Sequence, residues 1–287
     1  MKYSSIVGNS QKLDGGAMFG NVPKAVWSKW LIPDEFNRIS LSCRALLIQD
    51  EGKIILMETG IGAFFNPSLR DRYGVVESEH VLLKSLNDVG ISENDIDIII
   101  LSHLHFDHAG GLLSEWSDVE PQKLLFPNAK YLVSAKGWER AIKPHPRDKA
   151  SFIPHLNTLL EQSGRLILID KESCSLLGKK YRFLITNGHT PGLMHTIIDN
   201  NEDSIIFASD LIPGTHWIHL PITMGYDRAP ELVIDEKREM LELALKKNAQ
   251  VFYTHDSTIA ISRIYQDTSG RFYPSDVTSD FKDLVLG

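Results

Sequence analysis

Two stretches of the chain show the same alternation of apolar strands and amphipathic helices. Residues 41–49 and 53–58 are apolar-rich on either side of Asp50-Glu51-Gly52, which predicts a hairpin closed by a tight turn. Val81, Leu82, Leu86 and Val89 recur at helical spacing, so a helix is expected over 78–89, ending at Gly90. The run at 96–101, Ile-Asp-Ile-Ile-Ile-Leu, reads as a buried strand. The second stretch repeats the theme. Residues 165–169, 181–186, 195–199, 204–208 and 250–254 read as strands. Residues 231–247 read as a helix with Leu232, Ile234, Leu241, Leu243 and Leu245 as its core face. Residues 144–164 hold Pro144, Pro146 and Pro154 and read as loop plus helix, a surface excursion. This alternation predicts an α/β chain whose sheets are covered by helices. No linker or low-complexity tract divides it, so residues 1–287 are expected to form a single domain.

Three of the apolar runs end abruptly in a side chain able to bind metal: His103 after 96–101, Asp210 after 204–208 and His255 after 250–254. Strands that deliver polar residues from their C-terminal ends are how α/β proteins build sites. Around His103 the sequence is His103-Leu104-His105-Phe106-Asp107-His108. In an extended segment alternate residues share a face, so His103 and His105 can grip one ion. Asp107 and His108 lie beyond, where Ala109-Gly110-Gly111 is expected to supply freedom for a sharp turn, and can grip a second ion. Three His and one Asp at these offsets arise by chance in roughly one chain in a thousand. Four donors do not complete two shells. His189, exposed in Gly188-His189-Thr190-Pro191-Gly192, and Asp210 and His255 are the candidates for the remainder. Imidazole and carboxylate suit zinc first, with iron, manganese and cobalt open.

Composition narrows the partners. The net charge of −7 and the lack of any Lys/Arg cluster argue against a nucleic-acid backbone. Two cysteines, Cys43 and Cys174, make no disulfide framework and read as buried reduced thiols. Residues 1–8 lack an apolar signal region and no run is long enough to span a membrane, so a cytoplasmic location follows by default. A small-molecule substrate is expected, and the sequence leaves a homodimer open.

The order His-x-His-x-Asp-His, then His in Gly-His-Thr-Pro-Gly, then Asp after an apolar strand, then a last His, resembles the metallo-β-lactamase superfamily. The resemblance implies an αβ/βα four-layer sandwich, two mixed β-sheets flanked by helices, with a dimetal site at one edge. It implies that His103, His105 and His189 bind one ion, that Asp107, His108 and His255 bind the other, and that Asp210 bridges them. Within the superfamily the chain is most similar to the N-acyl-homoserine lactonase and methyl parathion hydrolase branch. The similarity lies in His-Leu-His-Phe-Asp-His-Ala-Gly-Gly, in residues 13–20 (Leu-Asp-Gly-Gly-Ala-Met-Phe-Gly), and in Asp210 where antibiotic-degrading β-lactamases carry Cys. The same Asp pattern occurs in glyoxalase II-like thioesterases and RNA-processing nucleases.

The implied chemistry is attack by a metal-bridging hydroxide on an ester-like bond, a lactone being the favoured substrate. Asp107, Asp210 and Tyr226 are the candidate catalytic residues. Tyr226 is included because a Tyr after the bridging Asp contacts the substrate carbonyl in the resembling lactonases. His216 and His219 are candidates for lining the entrance. Met18 and Phe19, with Trp27, are candidates for an apolar wall against an acyl chain, core packing being the ordinary role of such residues. His195 reads as a structural histidine. His80, His145 and His155 read as surface. The other functions weighed are a phosphotriesterase or phosphodiesterase, a thioesterase, a nuclease and a non-catalytic sensor. The acidic balance counts against a nuclease, and a sensor would have lost ligands that are all present here.

Overall fold

Asp50 and Lys53 face each other across the turn of the first hairpin, and Glu51 and Gly52 both take positive φ (50° and 80°). A two-residue turn of this hand matches the twist of the strands it joins, so the hairpin forms where the sequence placed it. In the computed structural model, which describes residues 1–200 and 203–286, the strands in chain order are β1 (Lys2–Val7), β2 (Gln11–Asp14), β3 (Arg38–Leu41), β4 (Arg44–Asp50), β5 (Lys53–Met57), β6 (Ile98–Ile100), β7 (Lys130–Ser134), β8 (Leu166–Ile169), β9 (Tyr181–Thr186), β10 (Leu193–Asn200), β11 (Asp203–Phe207), β12 (Gln250–Phe252), β13 (Ile261–Gln266) and β14 (Phe272–Thr278).

Packing separates the chain into two compact units. The first comprises residues 1–11, 42–170 and 280–285, and the second residues 12–41 and the described part of 171–279. Each carries a six-stranded mixed sheet among the described residues. In the first the order is β1-β4-β5-β6-β7-β8. Its first three strands are antiparallel, and β5 to β8 are parallel. The Ile98-Ile99-Ile100 run is wholly buried, as a central parallel strand must be. Residues 280–285 return to β1: the Tyr3 amide donates to the Leu284 carbonyl at 2.9 Å, and buried Arg44 pairs with Asp280 at 2.8 Å. In the second unit the order is β14-β13-β12-β11-β10-β9, antiparallel except for the parallel pair β11–β12.

The helices lie close to their expected places, with informative exceptions. The helix expected over 78–89 spans Val81–Asp88, its cap running to Gly90 at φ 80°. Residues 144–164 are more than a surface excursion. The helix Pro154–Gln162 buries Leu156 and Leu160 in the first unit's core, alongside the helix Ala135–Ile142.

The helix expected over 231–247 spans Pro230–Lys246, but its buried stripe is Val233, Lys237, Met240, Leu241 and Ala244. Leu232, expected inside, is 40% exposed. A buried lysine at the centre of the stripe disguises it in the sequence. The Lys237 ammonium donates to the carbonyls of Trp217, His219 and Ile222 at 3.0, 3.2 and 2.6 Å. Burial lowers its pKa to about 7, against the opposing pull of Asp227. Lys237→Met should therefore cost about 1–3 kcal/mol, because three carbonyls lose their donor. The unfolded chain holds the extra proton between about pH 7 and the ordinary lysine range, so wild-type stability rises with pH across that window. Denaturant midpoints at pH 6 and pH 9 should show the variant less stable at both, with the wild type gaining on it at pH 9.

Candidate metal centre

In the first unit the His-rich run leaves the end of β6, beside the end of β5, because these two strands are parallel with Met57 opposite Ile100. Backbone is extended through His105 (φ −66°, ψ 153°), and a short helix, Phe106–Ala109, then carries Asp107 and His108. The two glycines that follow are not needed for an unusual turn, since Gly110 is helical at φ −63°. They are needed for closeness. A Cβ on Gly110 would sit 2.3 Å from the Ile61 carbonyl oxygen, and one on Gly111 would sit 2.1 Å from that of Thr59.

Glu58, which sequence reasoning missed, organises this half. It is fully buried at φ 64°, directly after β5. One carboxylate oxygen accepts a short hydrogen bond from the Ser102 hydroxyl, and the other accepts from His108 Nδ1 at 2.8 Å. With its proton committed to Glu58, the Ser102 oxygen accepts from His103 Nδ1 at 2.9 Å. His103 and His108 are thus fixed in one tautomer, with Nε2 left as a lone-pair donor. His103 Nε2 and His105 Nδ1 lie 2.9 Å apart. The ligand-capable atoms of Glu58, His103 and His108 fall within 4.8 Å of one another. Asp107 Oδ1 is 3.8 Å from His108 Nε2.

The second unit gathers its three candidates by the same logic. Phe207 of β11 is in register with Phe252 of β12, and the strands are parallel. Asp210 and His255 each follow by three residues, so they leave side by side. His189 lies in the β9–β10 turn, and antiparallel pairing sets the start of β10 beside the end of β11. The result is His189 Nε2 at 3.2 Å from Asp210 Oδ2 and His255 Nε2 at 3.1 Å from Asp210 Oδ1. Asp227, also missed from sequence, is buried and accepts from His189 Nδ1 at 2.9 Å and from the Met224 amide at 2.7 Å. An acid at the end of a loop of mixed residues carries no local signal. Glu58 was more legible, as a carboxylate ending an apolar strand.

These donors fit a divalent ion. With Nδ1–H committed to Asp227, the Nε2 lone pair of His189 faces a carboxylate oxygen at 3.2 Å. Two lone-pair atoms so close require a shared proton or a cation between them. Carboxylate-oriented imidazoles are the usual second layer of a metal site, and one carboxylate with an imidazole at each oxygen suits a bridging role.

His195 is fully buried, its Nε2 at 2.8 Å from Thr186 Oγ1, and burial lowers its pKa to about 4, so it is a neutral structural histidine. His80, expected at the surface, is buried and donates from Nε2 to the Gly111 carbonyl at 3.0 Å. It turns inward beneath the close-packed glycines, and burial lowers its pKa. His145 and His155 are exposed. Cys43 is buried and Cys174 half-buried, and the two are not joined in a disulfide. Met18 and Phe19 are buried in a cluster where Phe19 stacks between Trp27 and Trp217, with centroids at 5.6 and 4.7 Å, and the Met18 carbonyl accepts from the Trp217 indole. Tyr226 is 42% exposed. His216 stacks on Trp30 at 5.7 Å, and both His216 and His219 line a cavity of about 790 Å³ in the second unit. Among the described residues no helix is long and apolar enough to cross a membrane.

Comparison with known proteins agrees with this architecture. The family model described as the metallo-β-lactamase superfamily matches residues 40–255. The N-acyl homoserine lactonase AiiA of Bacillus thuringiensis subsp. kurstaki is 24% identical over 258 residues, covering 85% of this chain and 89% of the relative. Among solved structures, a probable metal-dependent hydrolase from Staphylococcus aureus superposes with TM-score 0.84 at 26% identity, covering 99% of this chain and 98% of that one. AidC, a dizinc quorum-quenching lactonase in complex with the product N-hexanoyl-L-homoserine, superposes with TM-score 0.73 at 22% identity, covering 96% and 95%. The fold is a mixed α/β one with mixed sheets flanked by helices, as in those proteins.

Proposed function

The chain belongs to the metallo-β-lactamase superfamily, and on that premise we propose that it is a dinuclear metal-dependent hydrolase that opens a lactone ring. The observation that carries the reading is the pinning of His103, His108 and His189 at Nδ1, by Ser102, Glu58 and Asp227 respectively, which leaves three Nε2 lone pairs for ions. In this reading the two units act as one catalytic domain. His103, His105 and His189 would hold one ion, Asp107, His108 and His255 would hold the other, and Asp210 would serve both. Zinc is the favoured ion. Two such ions, when bound, lower the pKa of a shared water toward neutrality and polarise the substrate carbonyl.

The chain's own residues do the rest. Glu58 and Asp227 hold the imidazoles in the ligating tautomer. A carboxylate oxygen of Asp210 carries the proton of the attacking water to the alkoxide oxygen released when the ring C–O bond breaks. Tyr226 donates to the substrate carbonyl. The lactone preference is supported by the curated relatives, which are N-acyl homoserine lactonases, and by Asp at 210 in place of Cys.

The test is a substrate panel on the zinc-loaded protein: N-hexanoyl-homoserine lactone, an aryl phosphotriester, a thioester and a β-lactam. Lactone kcat/KM should exceed the others by about tenfold or more, a gap of at least 1.4 kcal/mol in transition-state binding. A phosphotriester or thioester turned over faster than the lactone would overturn the substrate assignment and leave the hydrolase intact.

A further inference from the structure

The cavity of about 790 Å³ in the second unit is separate from the ligand residues of that unit and is unused by the chemistry above. Its volume lies in the range that encloses small organic molecules. Most of its wall is apolar, with Val26, Trp30, Ile222, Phe272 and Pro274 among the lining residues. Val26 and Trp30 are each 40% exposed, so apolar surface at this site is left open to solvent. The polar contribution is one-sided. Arg271 lines the cavity, and among the described residues no ion pair is recorded for its guanidinium; Asp267 accepts from the Arg271 backbone amide at 3.0 Å and from the Ser269 amide and hydroxyl. His219 and His216 also line it, and burial lowers the pKa of both, so they enter as neutral imidazoles near neutral pH. The Lys237 ammonium lies behind the same wall, held on the carbonyls of Trp217, His219 and Ile222. Two carboxylates lie beside lining residues: Asp267, held by the Ser269 hydroxyl and amide and the Arg271 amide, and Asp256, which accepts from the Thr215 hydroxyl at 2.6 Å and from the amides of Thr215, Thr258 and Ile259.

We propose that this cavity binds an amphiphilic carboxylate, with its apolar body against Trp30, Ile222 and Phe272 and its carboxylate on Arg271. A guanidinium without a carboxylate partner at the edge of an apolar cavity favours a ligand that is apolar at one end and anionic at the other, because both faces are then matched in one pose. The flat Trp30–His216 stack, 9° between planes, gives the body a broad surface. A neutral ligand of the same body would gain the apolar contact and forgo the ion pair.

Octanoate and octan-1-ol separate the two contributions. Binding of each is measured calorimetrically on the zinc-loaded protein, on protein stripped with a chelator, and on Arg271→Gln and Val26→Trp. Octanoate should bind at least threefold more tightly than octanol, and the difference should shrink as salt is raised. Arg271→Gln, at an exposed position that leaves the core intact, should erase that difference while octanol binding is unchanged. Val26→Trp, which fills the mouth, should weaken both. Chelation should leave octanoate binding unchanged. Equal affinities in the wild type, or indifference to Arg271→Gln, would overturn the proposal. So would loss of octanoate binding on chelation, which would place the carboxylate on the metal ions instead. None of these outcomes depends on whether the protein opens lactones.

Discussion

Asp210→Asn lowers kcat/KM for the preferred substrate by about a thousandfold, a loss of about 4 kcal/mol of transition-state stabilisation. The size follows from geometry. Each carboxylate oxygen of Asp210 is matched to one imidazole, His189 at 3.2 Å and His255 at 3.1 Å. Asparagine keeps the shape but replaces one oxygen with an amide nitrogen that has no lone pair for a cation and presents two protons toward it. Under the proposed function it also removes the charge that would offset the ions and the base that would carry the proton. The measurement is steady-state hydrolysis with metal content determined on the same sample. The expected result is lost turnover together with a loss of about one ion per chain. Full turnover in Asp210→Asn at normal metal content would show that this carboxylate neither bridges nor shuttles protons.

Stripping the metal with a chelator should abolish turnover, and adding back zinc should restore it. The fold should register the loss as well. A ligand at one hundred times its Kd stabilises the native state by about 2.7 kcal/mol. For a chain of this size that corresponds to a fall in Tm of roughly 5–10 °C on stripping. The shift is expected because the donors are pre-gathered and buried: His103, His108, His189 and His255 are each at most 3% exposed. Without a cation, lone pairs crowd one another there at unfavourable cost. Thermal melts of loaded and stripped protein, with activity measured in parallel, test both parts. Undiminished hydrolysis in the stripped sample would remove metal from the mechanism altogether.

The His103–His108 run stood out as a set of candidate metal donors because metal binding needs rare residue types at tight spacing, and the run has no competing packing explanation. His189, Asp210 and His255 were legible for a different reason, since each interrupts or ends an apolar run. Glu58 and Asp227 were not found, because they act on imidazoles 50 and 38 residues away and a single carboxylate in sequence does not say which histidine it faces. The strands that end at the ligands were also read correctly. β1, β2, β3, β7, β13 and β14 were missed, and they are identified by pairing rather than by their own pattern. The helix Pro230–Lys246 was found, and of its expected inward face Leu241 is buried and Leu243 and Leu245 pack partly against the core, whereas Leu232 is exposed and Val233, Lys237, Met240 and Ala244 were not expected inside. Lys237 occupies the position where an apolar residue was sought, and only the three carbonyls gathered around it justify a charge there.

The return of residues 280–285 to β1 bears on how the chain is made. Synthesis delivers β4 to β8 early, but the first sheet keeps its β1 edge uncovered until residues 280–285 arrive. An open strand edge is the part of a nascent sheet most prone to pair with a neighbour. The buried Arg44 likewise waits for Asp280, 236 residues later, before its charge is matched. Vectorial folding therefore cannot finish the first unit before residues 171–279 have been translated, and during that time its β1 edge is open to off-pathway pairing.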